Sequence, residues 1–167
     1  MDEPEEEGWG RPAAERLKVR TAFCRKAAEQ LLKRCAVQQP PVPVDQIARK
    51  LGFDIRVVDL SIGVDARLRV TGASSIIELA SGQPDVRHRF SIGHELGHAC
   101  LGHRHGETEV AEQEANAFAG ALLVPAAWLR RDLDRFPTAS ALADRYQVSR
   151  EVIFIAAQRA RLLGKLR

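Results

Sequence analysis

The chain has no apolar run approaching the 18 or so residues that carry a helix across a bilayer, so it does not read as a membrane-embedded protein. It has only three cysteines among 167 residues, Cys24, Cys35 and Cys100, which form no paired framework. Its first residues lack the basic-then-apolar pattern of a secretion signal. These absences lead to the expectation of a cytoplasmic protein with reduced thiols and no membrane partner. Internal repeats are missing, and the length leaves no room for a second full domain. What remains is 45% hydrophobic residues, enough for one compact domain that buries about 70% of its unfolded surface.

The net charge of +3 is modest but uneven. Asp2, Glu3, Glu5, Glu6 and Glu7 crowd the start, and residues 1–12 read as a disordered acidic tail before a domain over residues 13–167. Arg159, Arg161, Lys165 and Arg167 crowd the end, where they make either a solvated face or a surface for nucleic acid or an acidic partner.

Ala13 to Ala36 reads as a long helix with Leu17, Cys24, Ala28, Leu31 and Cys35 on one face, ended by the linker Gln38-Gln39-Pro40-Pro41-Val42-Pro43. Val44 to Leu51 reads as a short helix closed by Gly52, and Phe53 to Asp59, Ala66 to Val70 and Ser74 to Leu79 as three strands. The fold class expected is α+β, a mostly helical single domain with a small three-stranded mixed or antiparallel sheet beside the helix that follows Pro84 and Asp85.

That helix carries His94-Glu95-Leu96-Gly97-His98. At 3.6 residues per turn the two imidazoles stack on one face and can aim at a single ion, while Glu95 stands about 100° round the helix, beside the ion rather than on it. Two ligands and a neighbouring base are what a hydrolytic zinc site needs. Chance is the competing reading, since any helix can carry two histidines.

A zinc enzyme requires a third protein ligand. His103 and His105 miss the register of a His-x-x-Gly-x-x-His continuation, in which Leu101 and Arg104 fill the informative slots, and read as loop histidines or as substrate or oxyanion contacts. Cys100 is turned about 200° from His98 and reads as a small core side chain. The next helix, with Thr108 as N-cap, offers Glu109, Glu112 and Glu114; its apolar stripe is Ala115, Phe118, Ala119 and Leu122. Glu112 sits on the stripe's inward edge and is the expected ligand, against the alternative that it only stabilises the helix start. Asn116, one turn on, is the group expected to hydrogen-bond a ligand imidazole, and Glu114 falls more to the side.

Arg89-Phe90-Ser91-Ile92-Gly93-His94-Glu95-Leu96-Gly97-His98, Glu112-Gln113-Glu114-Ala115-Asn116-Ala117-Phe118-Ala119 and Leu122-Leu123-Val124-Pro125 together resemble the ImmA/IrrE family of metallo-endopeptidases, from about residue 43 onward. The resemblance implies one zinc ion per chain held by His94, His98 and Glu112, with Glu95 as catalytic base. Val124 stands where many members have methionine. It also implies a protein substrate, a helix-turn-helix repressor encoded nearby, whose cleavage releases stress or mobile-element genes.

Three further expectations concern the surroundings. Ser75, Ile76 and Ile77, within Ser75 to Leu79, form a candidate sheet edge that holds an extended substrate, or else an ordinary strand. Tyr146, His103, His105 and Arg87 are candidates for a second oxyanion donor. Gly93 and Gly97 each weaken the helix by about 1 kcal/mol relative to alanine, so a close approach by the neighbouring helix or the substrate is expected there.

A rival function comes from Ala141 to Ile153, which resembles a helix-turn-helix with Val148 and Ser149 in the turn. Arg150, Glu151 and Phe154 would then lead a DNA-reading helix. Against it, Gln147 replaces the usual turn glycine, and Phe154 and Ile155 make the reading face apolar. A zinc ion that merely staples the fold is a third reading, in which Glu95 has no purpose.

Overall fold

The computed structural model describes residues 18–72, 74–103 and 108–167. The acidic tail, residues 13–17 of the first expected helix, and His105 lie outside the described residues.

The chain forms α1 (Thr21–Arg34), α2 (Val44–Lys50), β1 (Phe53–Val58), β2 (Ala66–Thr71), β3 (Ser74–Ala80), α3 (Asp85–Leu101), α4 (Glu109–Leu123), α5 (Ala126–Asp132), α6 (Ala139–Tyr146) and α7 (Arg150–Arg159), then a short 3-10 turn, Leu163–Lys165. This is the expected single α+β domain. The first helix begins later than its periodicity suggests, because Arg20 holds a non-helical φ of -87° and ψ of 57° while its backbone N–H donates to Glu114 Oε1 at 2.8 Å. A long-range carboxylate overrides local helix propensity there. The Pro-rich stretch is also more than a linker: Pro40 and Val42 are buried, and Val42 O accepts from Arg89 Nη2 at 2.8 Å.

The sheet is mixed, with strand order β1-β3-β2; β1 runs parallel and β2 antiparallel to β3. Ser75, Ile76 and Ile77 therefore sit on the central strand, with Phe53, Asp54 and Ile55 on one side and Val70, Arg69 and Leu68 on the other. Their backbone is already paired, which corrects the expectation of a free edge at Ser75 to Leu79. The edges are β1 and β2. Ile77 and Leu79 face the common core, and Glu78 lies on the opposite face, held between Arg67 at 2.7 Å and Arg69 at 2.9 Å.

Helices α3 and α4 make the centre of the molecule. Ala115, Phe118, Ala119 and Leu122 are fully buried, so the stripe read from period 3.6 is the packed face; full burial of a leucine or phenylalanine contributes about 1.5–3 kcal/mol. The two helices run antiparallel, Gly93 meeting Ala119 and Leu123, and Gly97 meeting Ala115 and Phe118. A Cβ on Gly97 would lie 3.1 Å from both Cα and O of Ala115, so the close approach is that of α4. α1 covers α4 from outside with Cys24, Ala28, Leu31 and Leu32.

Gly102 closes α3 at φ 72°, and Thr108 caps α4, its Oγ1 accepting from Ala111 N at 3.3 Å. Between α6 and α7 the turn begins at Gln147, in the left-handed region at φ 53° and ψ 53°. A non-glycine residue thus occupies the position where glycine was missed.

Candidate metal centre

α3 brings His94 and His98 together one turn apart, and α4 supplies Glu112 across the helix pair. His94 Nε2 and His98 Nε2 are 2.9 Å apart; Glu112 Oε2 lies 3.3 Å from the first and Glu112 Oε1 3.4 Å from the second. Ligand atoms at about 2.0–2.1 Å from a tetrahedral zinc ion stand about 3.3–3.4 Å from one another. Glu112 reaches the two imidazoles through different oxygens, and with one ligand atom taken from each residue the three lie within 4.8 Å of one another, a looser grouping than that face; two nitrogens with a carboxylate suit zinc chemically. The side chains of His94 and His98 are recessed, 18% and 12% exposed, whereas Glu112 is 52% exposed on the open side.

Each imidazole is held from behind. Asn116 Oδ1 lies 2.9 Å from His94 Nδ1, which puts the ring proton on Nδ1 and leaves the Nε2 lone pair toward the cluster. This is the contact that the sequence led one to expect of Asn116. On the other ring, His98 Nδ1 faces His103 Nδ1 at 3.2 Å, and His103 Nε2 reaches Glu114 Oε2 at 3.1 Å. Glu114 is buried and clamped by Arg20, whose backbone N–H and Nε meet Oε1 at 2.8 and 2.9 Å and whose Nη2 meets Oε2 at 2.7 Å. Arg20's side-chain bonds, then its backbone N–H and His103, outweigh desolvation and lower the Glu114 carboxyl to about 2.

Glu95 is buried at the base of a cleft of about 1330 Å³ that also takes in His94, Glu112 and Asn116. The cleft's walls include Val64 and Asp65 ahead of β2, Arg87 on α3, and Val152 and Ile155 on α7. The cleft thus runs beside the His94–Glu112 end of the cluster, with the Glu95 carboxylate among its lining groups.

Of the expected oxyanion donors, Arg87 lines this cleft and is tied to Asp65, Nε to Oδ2 at 3.0 Å. Tyr146 is fully buried elsewhere and donates to Asp132 Oδ2 at 3.0 Å; burial and that aspartate push its phenol upward. His103 is not a solvent-facing loop residue, for its side chain is 9% exposed and lies behind His98. Sequence reasoning missed Arg20 altogether, and it set Glu114 to the side as a ligand candidate without finding its partners. Two charged groups 94 residues apart leave no local signal, beyond an acid set among the apolar positions of α4.

A His-Glu-x-x-His helix, an acid from the following helix and a small sheet alongside define the class of peptidase folds built around such a helix pair. The chain belongs to the peptidase family described as the IrrE N-terminal-like domain, whose model matches residues 48–157 and so includes His94, Glu95, His98 and Glu112. No curated protein sequence matches the chain. Among solved structures it is similar to a Mycobacterium tuberculosis transcriptional regulator, with a TM-score of 0.64 and 17% identity, a likeness of fold. The likeness covers 81% of this chain and 46% of that one, so this chain spans less than half of that protein's length.

Proposed function

We propose that the protein is a zinc-dependent endopeptidase holding one ion per chain through His94, His98 and Glu112. The observation that carries this reading is the convergence of those three side chains at 2.9–3.4 Å spacing beside a buried glutamate. Zinc bound there supplies Lewis acidity and a water whose pKa falls to about 7. Glu95 takes the proton from the attacking water and delivers it to the departing amine nitrogen, and its burial keeps competing solvent from that transfer. Arg87, at the cleft wall, is the group offered to the developing oxyanion. The edge that supports an extended substrate is β2, whose first residue, Ala66, borders the cleft.

The substrate is a protein, and the resemblance to ImmA/IrrE chains supports a helix-turn-helix repressor encoded nearby, cut inside the cell so that stress or mobile-element genes are released. None of the described helices is long and apolar enough to cross a membrane, and the three cysteines are unpaired, which agrees with a cytoplasmic site of action. The test pairs the chain with the repressor encoded beside its gene. Glu95→Gln keeps stoichiometric zinc but stops cleavage, His94→Ala loses both, and a chelator stops the wild type. Cleavage retained by Glu95→Gln refutes the base assignment.

The α6–α7 pair supports a second reading, since Arg150, Glu151 and Phe154 are all exposed at the start of α7. On it the protein binds DNA, and a gel shift with steep salt dependence survives Glu95→Gln.

A further inference from the structure

We infer that His103 is a positioning residue for the metal centre, the middle of a directed hydrogen-bond relay running from His98 through His103 to the Glu114–Arg20 pair. The inference rests on the zinc reading above and extends it to residues outside the ligand set.

The direction of the relay follows from donor and acceptor chemistry. Glu114 Oε1 receives two N–H groups of Arg20, and Oε2 receives Arg20 Nη2 and faces His103 Nε2. A carboxylate so surrounded only accepts, so His103 Nε2 carries the hydrogen that it donates. A neutral imidazole with its hydrogen on Nε2 presents a lone pair on Nδ1. That lone pair faces His98 Nδ1 at 3.2 Å, so the His98 hydrogen sits on Nδ1. Its Nε2 is then unprotonated and aimed at the cluster with His94 and Glu112. Every bond in the chain sends its hydrogen away from the ligand atom.

The relay is buried enough to be selective, with side-chain exposures of 12% at His98, 9% at His103 and 3% at Glu114. It mirrors on His98 what Asn116 does for His94, but it ends on a carboxylate paired with Arg20, which fixes the ring and its tautomer through two hydrogen bonds.

The test uses the full chain. Zinc dissociation constants are measured by competition with a chromophoric chelator for wild type, His103→Leu and His103→Gln, alongside melting of the metal-free proteins. Leucine fills the space without polarity and weakens zinc by about 10–100-fold. Glutamine, whose amide accepts at oxygen and donates at nitrogen, recovers most of that loss. Metal-free melting temperatures stay close together, which a purely structural role for the ring does not predict. Long-range proton–nitrogen spectra of the zinc-loaded wild type show the hydrogen on Nδ1 of His98 and on Nε2 of His103, and this decides the matter should the leucine variant fail to fold. Wild-type zinc affinity in His103→Leu, or a His103 ring with its hydrogen on Nδ1, overturns the relay alone. A wild-type chain that takes up no zinc overturns the endopeptidase reading and the relay with it.

Discussion

Gly93 and Gly97 lie on the same face of α3, yet replacing them by alanine should move the protein in opposite directions. Either substitution removes a flexible residue from a helix interior, a gain of about 1 kcal/mol. At Gly93 the new methyl meets Ala119 Cβ at 3.4 Å and Ala119 Cα at 3.5 Å, ordinary contact distances, so most of the gain survives. At Gly97 it meets Ala115 Cα and O at 3.1 Å and Phe118 Cδ1 at 3.2 Å, two of the three being backbone atoms that cannot rotate away. Overpacking of this kind costs about 1–3 kcal/mol, so the net change is a loss of about 1 kcal/mol. For a chain of this size that is a fall of about 2–4 °C in melting temperature, against a comparable rise for Gly93→Ala. The strain falls between the helices that carry the proposed ligands, so on the zinc reading Gly97→Ala should also weaken metal binding, and Gly93→Ala should not. Thermal melting of both metal-free variants and a chelator competition give the readings. A Gly97→Ala protein that melts at or above the wild type and keeps its zinc affinity refutes the argument from close approach.

Acid should weaken the fold through Glu114. Its carboxyl is lowered from 4.5 to about 2, so its stabilisation is complete above about 4.5 and disappears as the pH falls through about 2. With the half-exposed Arg20 allowed for, about 2 kcal/mol is at stake. Denaturant titrations of the metal-free protein should show this fall, and Glu114→Gln should flatten it; an unchanged slope counts against the ion pair. Tyr146→Phe should keep the proposed proteolysis while losing about 1 kcal/mol of stability, because the hydroxyl serves buried Asp132 rather than the cleft. A large drop in turnover without unfolding would restore Tyr146 as an oxyanion donor.

What the sequence carries well here is what repeats locally. His94 and His98 share a face because they are four apart, Glu112 and Asn116 likewise, and the apolar stripe of α4 follows the same period. Strand positions were readable for the same reason, but strand order was not, since it is settled by partners far along the chain. One signal was present: Ile76, Ile77 and Leu79 break the alternation of an edge strand and suit one covered on both faces. His103 and Tyr146 look like free polar side chains in sequence because their partners, Glu114 and Asp132, come from elsewhere in the fold. Arg20 shows the same limit from the other end, being called out of a helix by an acid on α4.

The clamp between Arg20 and Glu114 bears on how the protein can be trimmed. The stretch recognised as the family domain starts at residue 48, beyond α1, yet α1 contributes Leu31 and Leu32 to the common interior and Arg20 neutralises an acid sealed inside it. An excised fragment beginning at residue 48 would open the apolar outer flank of α4 to water and leave Glu114 without its arginine. The matched stretch and the packed interior therefore have different boundaries in this chain, and expression fragments should retain Arg20.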